Sequence, residues 1–150
     1  MKIQIAFDVT DLSKAIELAK QVNESVDIFE IGTLLLYQHG IKAIEAFRDA
    51  FPKKIILVDS KIVDRPKELI TVLARAGADW VTVMAGANKD TIHLAATTAN
   101  QLNCKIMLDT ADSSSLGQTA LEAKNLGAQA LLFHQPYDEK DALLRSESTR

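Results

Sequence analysis

Apolar residues fall into two patterns that alternate along the chain. Six short runs rich in Ile, Val and Leu recur: IQIAF from Ile3, VDIFEI from Val26, IILV from Ile55, DWVTVM from Asp79, KIML from Lys105 and QALLF from Gln129. Nearly uninterrupted runs of this length fit strands buried on both faces of a parallel sheet. Between them the period lengthens to that of a helix. In DLSKAIELAKQV, residues Leu12, Ala15, Ile16, Ala19 and Val22 recur at spacings of three and four and share one face. The runs start 23, 29, 24, 26 and 24 residues apart, which leaves room for a helical crossover in every interval. Parallel strands joined by right-handed crossovers make an α/β fold.

Local signals agree with this division. Thr10 or Asp11 can cap the first helix, Pro66 suits a first turn, and Gly77 and Gly127 suit helix ends. The tracts AGADW and LGAQA place the same joint before two of the strands. Two architectures fit one domain over residues 1–150: an open doubly wound sheet, or a (β/α)₈ barrel of the TIM type with only about six βα units. The stretch from Asp138 to Arg150 turns polar, with Leu143 and Leu144 its only apolar pair, and is expected to be a frayed end or a short helix.

Composition narrows the function classes. The chain has 47% hydrophobic and 25% charged residues, a balance suited to one packed core. Lys+Arg number 17 against 20 Asp+Glu, a formal charge of -3, so no broad basic field exists for nucleic acid or an anionic membrane. The apolar runs end long before the ~20 residues that span a bilayer, and no membrane segment is expected. Cys104 has no partner for a disulfide, and the start MKIQIAFDV lacks a secretory h-region, so the expected address is cytoplasmic.

Candidate chemistry lies where the runs end. Asp8 follows the first, Glu30 sits in the second, Asp59 and Lys61 follow the third, Asp109 follows the fifth and His134 the sixth. In parallel α/β folds the carboxyl ends of the strands open onto the ligand crevice, so these charges converge on one pocket. Each residue alone has a plainer explanation. Asp8 can close a turn, Asp64 can cap a helix begun at Arg65 or Pro66, Asp109 can make an Asx-turn, and His134 can be a loop histidine. Charges at equivalent places on five strands are harder to explain separately, because such positions are costly to bury. His39, expected in a helix-start loop, and His93, within a helix, read as surface or packing residues. Cys104 reads as a buried inert thiol, and Asp112 with Ser113, Ser114 and Ser115 as a helix-start loop.

At Asp59-Ser60-Lys61-Ile62-Val63-Asp64 the chain carries an Asp-x-Lys-x-x-Asp motif that resembles the signature of the orotidine monophosphate decarboxylase superfamily. The members it is most similar to are the 3-hexulose-6-phosphate synthases and 3-keto-L-gulonate-6-phosphate decarboxylases. That similarity also rests on Ile5 to Asp8, Val26 to Thr33, Phe51 to Ile55 and Gly77 to Val83, and it runs from residue 2 to about His134. The resemblance implies a barrel-type phosphosugar lyase, a homodimer, with Mg²⁺ held by Glu30 and Asp59 and an enediolate intermediate. It implies that Lys61, Asp64, His134 and Asp8 are catalytic, that Asp8 and Asp109 touch the substrate, and that Asp64 serves the partner subunit's site. Two carboxylates make a hard oxygen site suited to Mg²⁺, Lys61 beside them can stabilise enediolate oxygens, and a histidine suits proton transfer near neutral pH.

The chain also departs from the pattern. Arg65-Pro66 stand where small residues are usual, Asn88 where an aspartate is common, and Tyr137 near the place of the decarboxylase arginine. Asp109, where that decarboxylase carries glutamate, favours the synthase: Mg²⁺-dependent aldol joining of formaldehyde to ribulose 5-phosphate and its reverse. The family's phosphate loops follow a seventh and an eighth strand, and no Gly-rich substitute lies between Gln135 and Arg150. The resulting expectation is an oligomer of limited stability with little synthase activity. A silent fragment that dimerises or binds a partner is the alternative outside the enzymes.

Overall fold

In the computed structural model, residues 1–135 are described, and the expected tail from Asp138 lies outside them. All six expected strands form: β1 (Gln4–Phe7), β2 (Ile28–Ile31), β3 (Ile55–Ile62), β4 (Trp80–Met84), β5 (Lys105–Asp109) and β6 (Ala130–Leu132). They are joined by helices α1 (Leu12–Val22), α2 (Thr33–His39), α3 (Ile41–Ala50), α4 (Pro66–Arg75), α5 (Lys89–Gln101) and α6 (Leu116–Ala123). The longest interval, between β2 and β3, holds two helices. Gly40, at φ +60°, turns the chain between them in a conformation that favours glycine.

Every strand pair is parallel and the spatial order is the chain order, β1-β2-β3-β4-β5-β6. A doubly wound sheet reverses its order at a switch point, so that alternative falls away. The six strands form a curled, barrel-type sheet.

Burial accounts for the elements. Ala15 and Ala19 of α1, Ile44 and Phe47 of α3, Ile70 of α4, and Ile92 and Ala95 of α5 are all within the core, at three- and four-residue spacing where an element contributes two. Phe7, Phe29, Phe47 and Phe51 stack edge-on or tilted, with ring centroids between 4.9 and 6.2 Å apart. Asp11, one of the two expected caps, accepts a bond from the Lys14 amide. Gly77 takes positive φ just past the end of α4, as expected, whereas Gly127, also at positive φ, lies in the turn four residues beyond the end of α6. His39 corrects its expectation: it is the last residue of α2, and its ring N–H donates to the Thr10 carbonyl across 2.8 Å.

At the amino ends of the strands, Arg48 fastens the chain. Its guanidinium donates to the carbonyls of Gly77, Pro52 and Lys54 and pairs with Asp79, whose carboxylate also accepts the Ile56 amide.

Candidate active site

The register fixes which residues meet. Phe7, Ile31 and Val58 are aligned across β1, β2 and β3, so Asp8, Gly32 and Asp59 follow at one level beyond them. Gly32 suits that place, since a Cβ would lie 2.8 Å from the backbone carbonyl of Phe7 and against the Asp8 carboxylate. Glu30 pairs with Leu57, so Glu30 and Asp59, two residues further on, share a face of the sheet.

The third strand is longer than its apolar run, and the Asp-x-Lys motif lies inside it. Val58 pairs with Val81 and Ile62 with Val83, which leaves Asp59, Ser60 and Lys61 opposite the single residue Thr82. Lys61 takes φ +46°, a left-handed conformation that burdens a side chain with a Cβ by on the order of 1 kcal/mol. The expectation that Asp59 and Lys61 face the same side by simple alternation therefore holds in outcome but not in cause. A bulge brings them together.

Lys61 is the centre of the charge network. Its Nζ lies 3.0 Å from Asp59 Oδ1, 2.9 Å from Asp59 Oδ2 and 3.0 Å from Asp109 Oδ2. The His134 ring Nδ1 also meets Asp109 Oδ2, at 2.9 Å, and Asp109 Oδ1 accepts the Ala111 amide in an Asx-turn. Asp109 thus makes the Asx-turn foreseen for it, and its other oxygen joins Lys61 to His134. Burial works against its carboxylate, yet the bonds from Ala111, His134 and Lys61 outweigh that and hold its pKa below the usual value. Burial pulls the Lys61 ammonium down, and the bonds to Asp59 and Asp109 more than compensate, so its pKa stands above the ordinary one.

Glu30 behaves in the opposite way. Burial pushes its carboxyl pKa up, and the nearby Asp59 and Asp8 charges push it further, against a bond from Gln4 Nε2 at 2.7 Å. Negative charge is in excess around Glu30, Asp59 and Asp8, a setting that favours a hard cation on carboxylate oxygens. Among the described residues there is no group of three or more His, Cys, Asp or Glu placed to hold a metal ion. Mg²⁺ does not require one, since it binds through one or two carboxylates and keeps several waters.

A cavity of about 510 Å³ opens over this network, lined by Asp8, Thr33, Leu34, Asp59, Lys61 and His134. Asp109 lies wholly buried beneath it. Asp64 stands apart: it is exposed, and its carboxylate accepts the Arg65 amide at 2.8 Å. Arg65, not Asp64, occupies the N-cap position of α4, with Pro66 in its first turn. Sequence reasoning missed Thr33 and Thr82. The Thr33 hydroxyl donates to Asp59 Oδ2 at 2.6 Å and the Thr82 hydroxyl to Asp59 Oδ1 at 2.9 Å. Thr82 interrupts the apolar run WVTVM, a signal that was available; Thr33 offers none.

Comparison with known proteins decides the lineage of this site, because one family model matches residues 1–145. The chain belongs to the orotidine 5'-phosphate decarboxylase / HUMPS family. It is 33% identical over 138 residues to a 3-hexulose-6-phosphate synthase of Bacillus subtilis, covering 92% of this chain and 66% of that one. It is 32% identical over 140 residues to a 3-keto-L-gulonate-6-phosphate decarboxylase of Escherichia coli, covering 93% and 64%. The crystal structure of KGPDC from Streptococcus mutans in complex with a sugar phosphate superposes with a TM-score of 0.84 at 31% identity, covering 96% of this chain and 66% of that one. The chain thus spans about two thirds of the length of these relatives. Among its described residues no helix is long and apolar enough to cross a membrane.

Proposed function

We propose that the cavity binds a phosphosugar and converts it to an enediolate, as the lyase chemistry of the 3-hexulose-6-phosphate synthases requires. The observation that carries this reading is the Lys61 ammonium held between Asp59 and Asp109 at the cavity, with His134 on the same Asp109 oxygen. A fixed cation aimed at one point stabilises charge that develops there, and a histidine beside it can carry the proton that moves. The sugar phosphate held by the Streptococcus relative supports a ligand of the same class here.

In this reading a proton leaves the hydroxymethyl carbon next to the carbonyl of ribulose 5-phosphate, and its electron pair passes to the carbonyl oxygen. The resulting carbon nucleophile attacks formaldehyde, and the oxygen of formaldehyde takes up a proton. Lys61 neutralises the oxygens, His134 moves protons and Asp8 orients hydroxyl groups, while Asp109, buried beneath the cavity, holds Lys61 and His134 in place instead of touching the substrate. Glu30 and Asp59 would hold Mg²⁺, whose positive charge would add to that of Lys61. Asp59 accepts from Lys61, Thr33 and Thr82, bonds that would orient its carboxylate for such an ion, and Lys61 keeps a second carboxylate partner in Asp109.

A homodimer completes the proposal. Val63, Leu69 and Val72 are exposed apolar side chains near Asp64, beyond the end of β3 and on α4, and would form the contact. Asp64, exposed and not among the residues lining its own cavity, is then free to serve a partner's. A cytoplasmic setting is supported by the single buried thiol of Cys104.

The test is turnover by the purified 150-residue chain with Mg²⁺. Hexulose 6-phosphate formed from ribulose 5-phosphate and formaldehyde is the expected product, at a low rate. Loss of carbon dioxide from 3-keto-L-gulonate 6-phosphate with no aldol product would move the reading to the decarboxylase. No reaction with either would favour a silent binding or dimerising fragment.

A further inference from the structure

One buried residue touches all three residues of the bulge in β3. The Thr82 hydroxyl donates to Asp59 Oδ1 at 2.9 Å and accepts the Lys61 amide at 2.9 Å, while the Thr82 carbonyl accepts the Ser60 hydroxyl at 2.9 Å. Thr82 is fully buried, so water cannot replace these bonds. Lys61 sits at φ +46°, a conformation a lysine keeps only when its surroundings over-determine it. The bond from its amide to Thr82 Oγ1 is the contact made at that strained residue, and the same oxygen fixes the orientation of the Asp59 carboxylate.

We propose that Thr82 is a positioning residue: its hydroxyl clamps the bulge and thereby sets where the Asp59 carboxylate and the Lys61 ammonium meet. Threonine meets the demands of the place. A strand favours its branched Cβ, and a hydroxyl can donate and accept at once. Valine keeps the shape and removes both bonds; serine keeps both bonds and removes the methyl group. The clamp itself is a statement about backbone geometry. Its value to catalysis rests on the function proposed above.

The experiment compares the wild type with Thr82→Val and Thr82→Ser, with Thr82→Ala used in place of the valine variant should that one fail to fold. Amide exchange at Lys61, followed by NMR in the protein without added metal, is expected to quicken roughly tenfold in Thr82→Val, as loss of about one hydrogen bond implies, and to stay near wild type in Thr82→Ser. Mg²⁺ affinity by calorimetry is expected to fall about 10- to 100-fold in Thr82→Val, the usual effect of removing a group that orients a metal ligand, with rescue in Thr82→Ser. Equal protection of the Lys61 amide in Thr82→Val and wild type would overturn the clamp. Wild-type protein that binds no Mg²⁺ would overturn the metal reading instead, and the exchange result would still decide the clamp.

Discussion

At the scale of single residues, the site holds charges whose environments pull in opposite directions. Glu30 is buried among carboxylates, so the folded protein holds its proton more tightly than the unfolded chain does, whose ordinary value is 4.5. Above that pH the unfolded chain gives up the proton first, and stability falls as pH rises toward the raised folded value. Glu30→Gln is therefore expected to stabilise the protein at pH 7 by on the order of 1 kcal/mol, the usual gain from relieving a functional site, while abolishing Mg²⁺ binding. Urea denaturation at pH 7 and pH 4 checks this: the gain should vanish at the lower pH, and a loss of stability at pH 7 would contradict it. Cys104 makes a cleaner case, because burial pushes its thiol up to about 11. Alkylation by iodoacetamide at pH 8 should require unfolding, and fast labelling of native protein would place the thiol at the surface. Asp59, Lys61, Asp109 and His134 were legible in the sequence because each ends an apolar run, where a charge has no packing reason to be. Thr33 was not, since its hydroxyl declares itself only through the carboxylate it meets in space, and Thr82 left no more than the break it makes in the run WVTVM.

At the scale of elements, the existence of the strands was plain and their ends were not. The run IILV predicts a strand that stops at Val58, whereas β3 continues to Ile62. The cause is the bulge opposite Thr82, which depends on a neighbouring strand and leaves no periodic trace. Helix starts and stops were read correctly at Asp11 and Gly77, where one side chain or one φ decides the matter, whereas α6 ends at Ala123, ahead of Gly127. The doubled helix between β2 and β3 was not read, although Gly40 marks it. Arg48 is an element-level fastener that composition could not reveal: it ties α3 to the chain entering β3 and β4. Arg48→Ala takes a charged donor from the half-buried carbonyls of Gly77 and Lys54 and a partner from Asp79, and is expected to destabilise by roughly 2–3 kcal/mol. Gly77→Ala should destabilise as well, since its φ of +113° disfavours a side chain and the new Cβ would meet Arg48 Cβ at 2.9 Å. Denaturant midpoints measure both, and wild-type midpoints would remove the fastener.

At the scale of the whole molecule, fold class followed from the repeat of strand and helix, while the choice between open sheet and barrel needed the strand order, which no spacing encodes. Assembly is open to a direct check. Light scattering is expected to give twice the 16.4 kDa chain mass, with Leu69→Lys shifting the protein to monomer; a monomeric wild type would remove the proposed homodimer. The central claim is narrower: that Lys61 and its carboxylates generate an enediolate. The most direct measurement is proton NMR of ribulose 5-phosphate in D₂O with the protein and Mg²⁺, in the absence of formaldehyde and at substrate levels raised until the rate no longer changes. The expected result is steady loss of the proton signal at the hydroxymethyl carbon beside the carbonyl, dependent on Mg²⁺ and absent in a folded Lys61→Ala variant. Retention of that signal with wild-type protein, or equal exchange in Lys61→Ala, would contradict it.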